Sequence, residues 1–114
     1  MYEIRWGENV RDDMRHMGLR AYEVRQITDA VDEQLAHEPN RTSRRKKVIR
    51  PEEHLPYEHL EPVWQLRVGE FRVFYDIAAC EPEAGETGQQ TCDGVVSIRA
   101  IRRKPGHKTT REIL

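Results

Sequence analysis

The segment Trp64-Gln-Leu-Arg-Val-Gly-Glu-Phe-Arg-Val-Phe-Tyr75 leaves the chain the least freedom. Two alternating apolar and polar runs flank Gly69-Glu70, and a Gly-X pair in that position specifies a two-residue type II′ hairpin. The turn sets the register: Val68 opposite Phe71, Arg67 opposite Arg72, Leu66 opposite Val73, Gln65 opposite Phe74 and Trp64 opposite Tyr75. Side chains alternate across a strand, so Trp64, Leu66, Val68, Phe71, Val73 and Tyr75 make one apolar face. Arg67 and Arg72 then oppose each other on the other face. Like charges in a cross-strand pair cost up to about 1 kcal/mol. An anion held between them would offset that cost. The plainer reading is a solvated pair that splays apart or reaches Glu70 or Asp76.

The formal charge of −1 over 114 residues hides a segregation. Arg41, Arg44, Arg45, Lys46, Lys47 and Arg50 fall in a stretch without an acid, and Arg99, Arg102, Arg103, Lys104, Lys108 and Arg111 form a second cluster. Together they hold 12 of the 19 basic residues, while the acids lie mostly in 8–38, 52–61 and 81–93. Such a distribution suits a basic surface for a polyanion; its bland counterpart is two solvated basic loops. The length allows one domain, residues 1–114, with a real core.

Tyr2, Ile4 and Trp6 alternate with Glu3 and Arg5, which predicts a strand rather than a signal peptide. No apolar run approaches the roughly 20 residues of a membrane helix. Cys80 and Cys92 are the only cysteines. A register that keeps Tyr75 and Val96 on one face sets them on opposite faces, so free cytosolic thiols are expected.

Asn9 is a candidate N-cap with Asp12 as its capping-box acid. Val10, Met14 and Met17 follow at helical spacing, and Gly18 interrupts. Val24, Ile27, Val31 and Leu35 define a second, longer helix that ends before Pro39. Residues 39–62, with four prolines, read as a long connection. The hairpin reaches about Ile77, an acidic loop occupies 81–93, and Val95 to Ile101 is the last strand, with Val96, Ile98 and Ala100 on the core side and Arg99 beside Arg67 and Arg72. The expected fold is α+β: an N-terminal strand, then a two-helix hairpin packed on one face of an antiparallel sheet (β-α-α-β-β-β), with a short C-terminal tail. The opposite sheet face is expected to be open and to carry the arginines.

The sequence has no phosphate-binding glycine loop, HExxH, paired CxxC or serine elbow. His54 and His59 flank Pro56 at poor metal spacing, so no metal or other cofactor is expected. Arginine and lysine on a sheet face suit a phosphate and the charge of its transition state. RNA cleavage by its own 2′-hydroxyl needs only a base, cations for the phosphorane and an acid for the leaving oxygen. His107, beside Lys104 and Lys108, is the candidate base, since an imidazole titrates near neutrality. The alternative is a tail histidine without a role.

On these segments the chain resembles the RelE/ParE superfamily of bacterial type II toxins. The 64–75 hairpin is similar to the family's Leu-Arg-x-Gly-(Asp/Glu)-(Tyr/Phe)-Arg-Val-x-Tyr, the Arg-rich 41–50 stretch to its basic segment, and Val95 to Lys108 to its last strand and basic exit. The resemblance implies a cytoplasmic toxin that cleaves mRNA on the ribosome without a metal. It also implies a cognate antitoxin over the basic groove, and operator DNA bound only by the toxin–antitoxin complex. Arg72 matches the hairpin arginine; Arg67 and Gln65 occupy two lysine positions; Arg103 or Lys104 matches the basic residue after the last strand. His107 lies near a terminal tyrosine that Thr109 and Thr110 cannot replace. The implied catalytic set is Arg67, Arg72 and His107. Arg44, Arg45, Lys46, Lys47, Gln65, Arg99, Arg103, Lys104 and Lys108 are the implied phosphate and RNA contacts. The uncharged Gln65 and the missing tyrosine leave two alternatives, a gyrase inhibitor of the ParE type and a catalytically weak RNA-binding domain.

Overall fold

In the computed structural model, which describes residues 1–50, 54–80 and 93–114, the hairpin takes the register its turn demands. Gly69, at φ +57°, joins β3 (Val63–Val68) to β4 (Phe71–Ala78). Among the described residues only glycines have positive φ, so Glu70 keeps the negative φ of a II′ turn. Val68 opposes Phe71 and Arg67 opposes Arg72.

Around this hairpin stand β1 (Glu3–Trp6), β2 (Lys46–Ile49) and β5 (Val95–Arg103), in the order β1-β5-β4-β3-β2. The class is α+β, but the sheet is mixed, because β1 runs parallel to β5. Between β1 and β2 come α1 (Glu8–His16) and α2 (Ala21–Leu35). Gly18, at φ +63°, closes α1 with a pair of capping bonds, Gly18 N–H to Arg15 O and Leu19 N–H to Met14 O, the 5→2 and 6→1 pattern that frees the chain to reverse. The N-cap of α1 is Gly7 rather than Asn9. Gly7 N–H donates to Ile98 O, and a Cβ there would lie 2.7 Å from that oxygen. The helix therefore starts where the chain leaves β1 against β5, earlier than its polar residues suggest.

Both helices pack on the same apolar face of the sheet, α1 against β5 and α2 against β3 of the hairpin. Val10 of α1 and Ile27, Val31 and Leu35 of α2 join Leu66, Val73, Tyr75, Val96, Ile98 and Ile101 in the main core. The Tyr75 hydroxyl donates to Pro39 O at 2.7 Å, and burial raises its pKa. Ala100 belongs elsewhere. Phe74 pairs with Ala100 but Tyr75 pairs with Ile98, so Arg99 is an extra residue that reverses the alternation. Ile101 takes the core position expected of Ala100.

The second sheet face is only half open. Ala100, Phe74, Val63 and Ile49 form a smaller core there with Leu55, Tyr57 and Ile113. Ile113 comes from a short α3 (Thr110–Ile113) in the expected tail, and Leu55 and Tyr57 from the expected connection. That connection also contains β2, whose two lysines masked its strand pattern. Cys80 is disulfide-bonded, which corrects the expectation of free thiols. β4 stops at Ala78, so strand parity does not reach Cys80; Cys92 and all of the expected 81–93 acidic loop except Asp93 lie outside the described residues. Among the described residues no helix is long and apolar enough to cross a membrane.

Candidate anion-binding site

The uncovered half of the second face is crossed by a row of arginines. Arg67 and Arg72 oppose each other on β3 and β4. Arg67 N–H also donates to Arg45 O at 2.7 Å, which places Arg45 beside it, just before β2. On the other side Arg72 pairs with Arg102 of β5. Adjacent strands lie about 4.8 Å apart, so Arg45, Arg67 and Arg72 form a close-set line.

A cavity of about 210 Å3 lies over this line. Arg44, Arg45 and Lys47 border it from the β2 side, Gln65 and Arg67 from β3, and Arg72 from β4. Lys104 and Thr110 close it from the C-terminal segment. Local hydrogen bonds fix these groups. The Ser43 hydroxyl accepts the N–H groups of Arg45 and Lys46 at 3.2 Å each, holding the tip that carries Arg44 and Arg45. Lys104 N–H donates to Glu70 O at 2.7 Å, tying the exit of β5 to the hairpin turn. The Thr110 hydroxyl donates to Gln65 Oε1 at 3.0 Å.

The two central arginines differ. Arg67 is exposed, while the Arg72 side chain lies flat and buried, its Nη1 donating to Gly69 O and Phe71 O at 2.8 Å each. Burial first, and then the Arg67 guanidinium, hold the Arg72 pKa below its ordinary value. Both remain cationic at neutral pH. Among the described residues no carboxylate pairs with Arg44, Arg45, Lys47, Arg67, Arg72 or Lys104. Uncompensated cations facing one cavity are an anion site in chemical terms.

The remaining predicted residues stand apart. Lys46 points to the helix side of the sheet, where Nζ donates to Gln34 O at 3.2 Å and Glu38 O at 2.7 Å past the C-terminal turn of α2. Burial lowers its pKa, against the raising effect of Glu38. Arg99 is in an ion pair with Asp76, Nε to Oδ2 at 2.7 Å, and that carboxylate, fully buried, also accepts Leu60 N–H at 2.8 Å. Arg103 reaches Glu23 and Glu70 at 3.4 and 3.6 Å and lies over the Phe71 ring. His107 and Lys108 are exposed beyond β5 and do not border the cavity. Ser43 and Thr110 are the members the sequence reading missed. Only the fold brings them near Arg67, and nothing in their local sequence marks them.

Tyr57 packs on Phe74 and under Arg102, whose guanidinium also pairs with Asp13 at 2.8 Å. Its hydroxyl is buried without a hydrogen-bond partner among the described residues, and burial pushes its pKa up to about 12. Compared with known proteins, the chain matched no family model, no curated protein and no solved structure.

Proposed function

We propose that the protein is a toxin of the RelE/ParE type that binds mRNA on the ribosome and cleaves it without a metal. The observation that carries this reading is the line Arg45–Arg67–Arg72, which faces a cavity with Lys47 and Lys104 and lacks a described carboxylate partner. In such a site the RNA 2′-hydroxyl attacks the adjacent phosphorus in line and passes its proton to water. The bond to the 5′-oxygen breaks, and that oxygen takes up a proton from water as it leaves. The guanidinium groups offset the extra negative charge of the phosphorane, which is where preorganised cations contribute most. Arg72, held by two backbone carbonyls, is the fixed donor, and the exposed Arg67 can follow the phosphate. In this reading a cognate antitoxin covers the same cations, the protein works in the cytoplasm, and operator DNA is bound only by the toxin–antitoxin complex. A disulfide at Cys80 is uncommon in a reducing compartment, so the cytoplasmic placement rests on the ribosome as target.

One observation favours a second reading. His107 does not border the cavity, and no imidazole or carboxylate does so among the described residues. A surface of cations with no group that titrates near neutrality suits an RNA-binding domain without cleavage.

Purified protein added to ribosomes carrying a defined mRNA separates the two. Cleavage that leaves 2′,3′-cyclic phosphate ends, lost about a hundredfold in Arg67→Ala, supports the nuclease. RNA binding without new ends supports the binding domain. A ParE-type gyrase inhibitor would instead stop thymidine incorporation in cells before methionine incorporation.

A further inference from the structure

We propose that a second cavity, at the edge of the arginine row, receives a nucleobase whose edge is read by Gln26; this rests on the RNA reading above. The cavity measures about 410 Å3, which gives room for one unpaired base. It exists because β2 is short. Arg45 is the last residue to bond alongside β3, and the chain then turns away through Ser43, whose N–H donates to Lys46 O at 2.9 Å. Val68 and Gly69 therefore have no strand beside them on the β2 side, and α2 overhangs the gap.

Val68, Ala30 and Gly69 line its inner surface, and Gln26 of α2 stands exposed at its border. Gly69 does more than make the turn. A Cβ on it would lie 3.2 Å from Gln26 Nε2, so the missing side chain keeps the space in front of the carboxamide clear. Gln26 makes no side-chain hydrogen bond with any other described residue.

The two cavities are contiguous at three side chains. Arg44, Arg45 and Arg67 border both. A phosphodiester over the row and a base in the second cavity thus belong to one stretch of strand. The chemistry divides accordingly. Bases of single-stranded RNA stack on arginine planes and apolar side chains and pair through their edges. A carboxamide offers one donor and one acceptor side by side, the pattern that a base edge matches. Gln26 is then a specificity residue, separate from the cations that hold phosphate.

The test uses the full chain and four short single-stranded homopolymers of A, C, G and U, with binding read by fluorescence anisotropy at fixed salt. Gln26 is an exposed helix residue, so Gln26→Ala keeps the fold, which circular dichroism verifies. The wild type is expected to prefer one base by about fivefold or more. Gln26→Ala is expected to flatten that preference with little loss of total affinity. Gln26→Glu, an acceptor only, is expected to shift it toward guanine, whose edge offers adjacent donors. Unchanged preference in both variants, with binding still weakened about tenfold by Arg67→Ala, overturns the base subsite and leaves the RNA reading intact. A wild type that binds none of the four also overturns the base subsite, and the RNA reading then rests on the ribosome assay alone.

Discussion

The arginines of β5 and those of the β2–β4 row carry the same charge, yet they have different surroundings. Arg99, Arg102 and Arg103 each have a carboxylate partner: Asp76, Asp13, and Glu23 with Glu70. Arg45, Arg67 and Arg72 have none among the described residues, and they face a cavity. The first group is structural. Arg99 satisfies a buried carboxylate, Arg102 ties β5 to α1, and Arg103 covers Phe71. The second group repels itself, and the fold supports it by other means, with Arg72 hydrogen-bonded to the turn and Arg67 left in solvent. A count of positive charges cannot tell these roles apart. Compensation by a neighbouring carboxylate can.

The difference can be broken at several points, and the largest effect is expected at Asp76. Asp76→Ala leaves Arg99 half-enclosed without its anion and Leu60 N–H without its acceptor, at a cost of about 4 kcal/mol. A urea titration measures it, and an unchanged midpoint would show that Arg99 is as free as Arg67. Arg67→Ala should do the reverse. Removing one member of a like-charge pair leaves stability within about 0.5 kcal/mol, while affinity for single-stranded RNA falls about tenfold and its salt dependence weakens. A stability loss as large as that of Asp76→Ala would make the row structural.

Alkaline pH probes the covered half of the same face. The folded state keeps Tyr57 protonated up to about 12, whereas an unfolded tyrosine ionises near pH 10. The resulting stabilisation is complete below that unfolded value and is lost as pH rises through the folded one. Tyr75 acts in the same direction. Lys46 acts oppositely, since its lowered pKa makes stability rise with pH below its ordinary value. Denaturation midpoints at several pH values should therefore decline above pH 10, less steeply in Tyr57→Phe, where the Lys46 contribution cancels in the comparison. The smallest effect is expected for Arg103→Ala, whose exposed pairs contribute about 0.5 kcal/mol or less. RNA binding by that variant should match the wild type, and a tenfold loss would extend the site onto the helix side of the sheet.

The hairpin was readable because all its determinants are local. A Gly-X turn and strict alternation fix which residues oppose, and Arg67 meets Arg72 as a consequence. The helices were readable from periodicity, though the start of α1 was set by the contact of Gly7 with β5. The reading of β5 failed at one residue, because an extra Arg99 that alternation cannot reveal moved Ala100 to the other face. The site divided along similar lines. Gln65, Arg67 and Arg72 followed from register, and Arg44, Arg45, Lys47 and Lys104 from charge. Lys46 and Arg103 looked the same in sequence and point the other way.

By itself the sequence determined the secondary elements around Gly18 and Gly69, the apolar face that carries the helices, and the opposition of two arginines. Those outcomes depend on backbone preferences and on alternation within a few residues. The tertiary structure alone decided which cations are neutralised, that β2 stops short and leaves a cavity beside Gln26, and that α3 and residues 54–60 cover half of the second face. These depend on pairs far apart in the chain, such as Asp76 with Leu60, Asp13 with Arg102 and Gln65 with Thr110. A local pattern carries no term for a contact whose partner lies on another element, so compensation of charge, unlike charge itself, is a property of the fold.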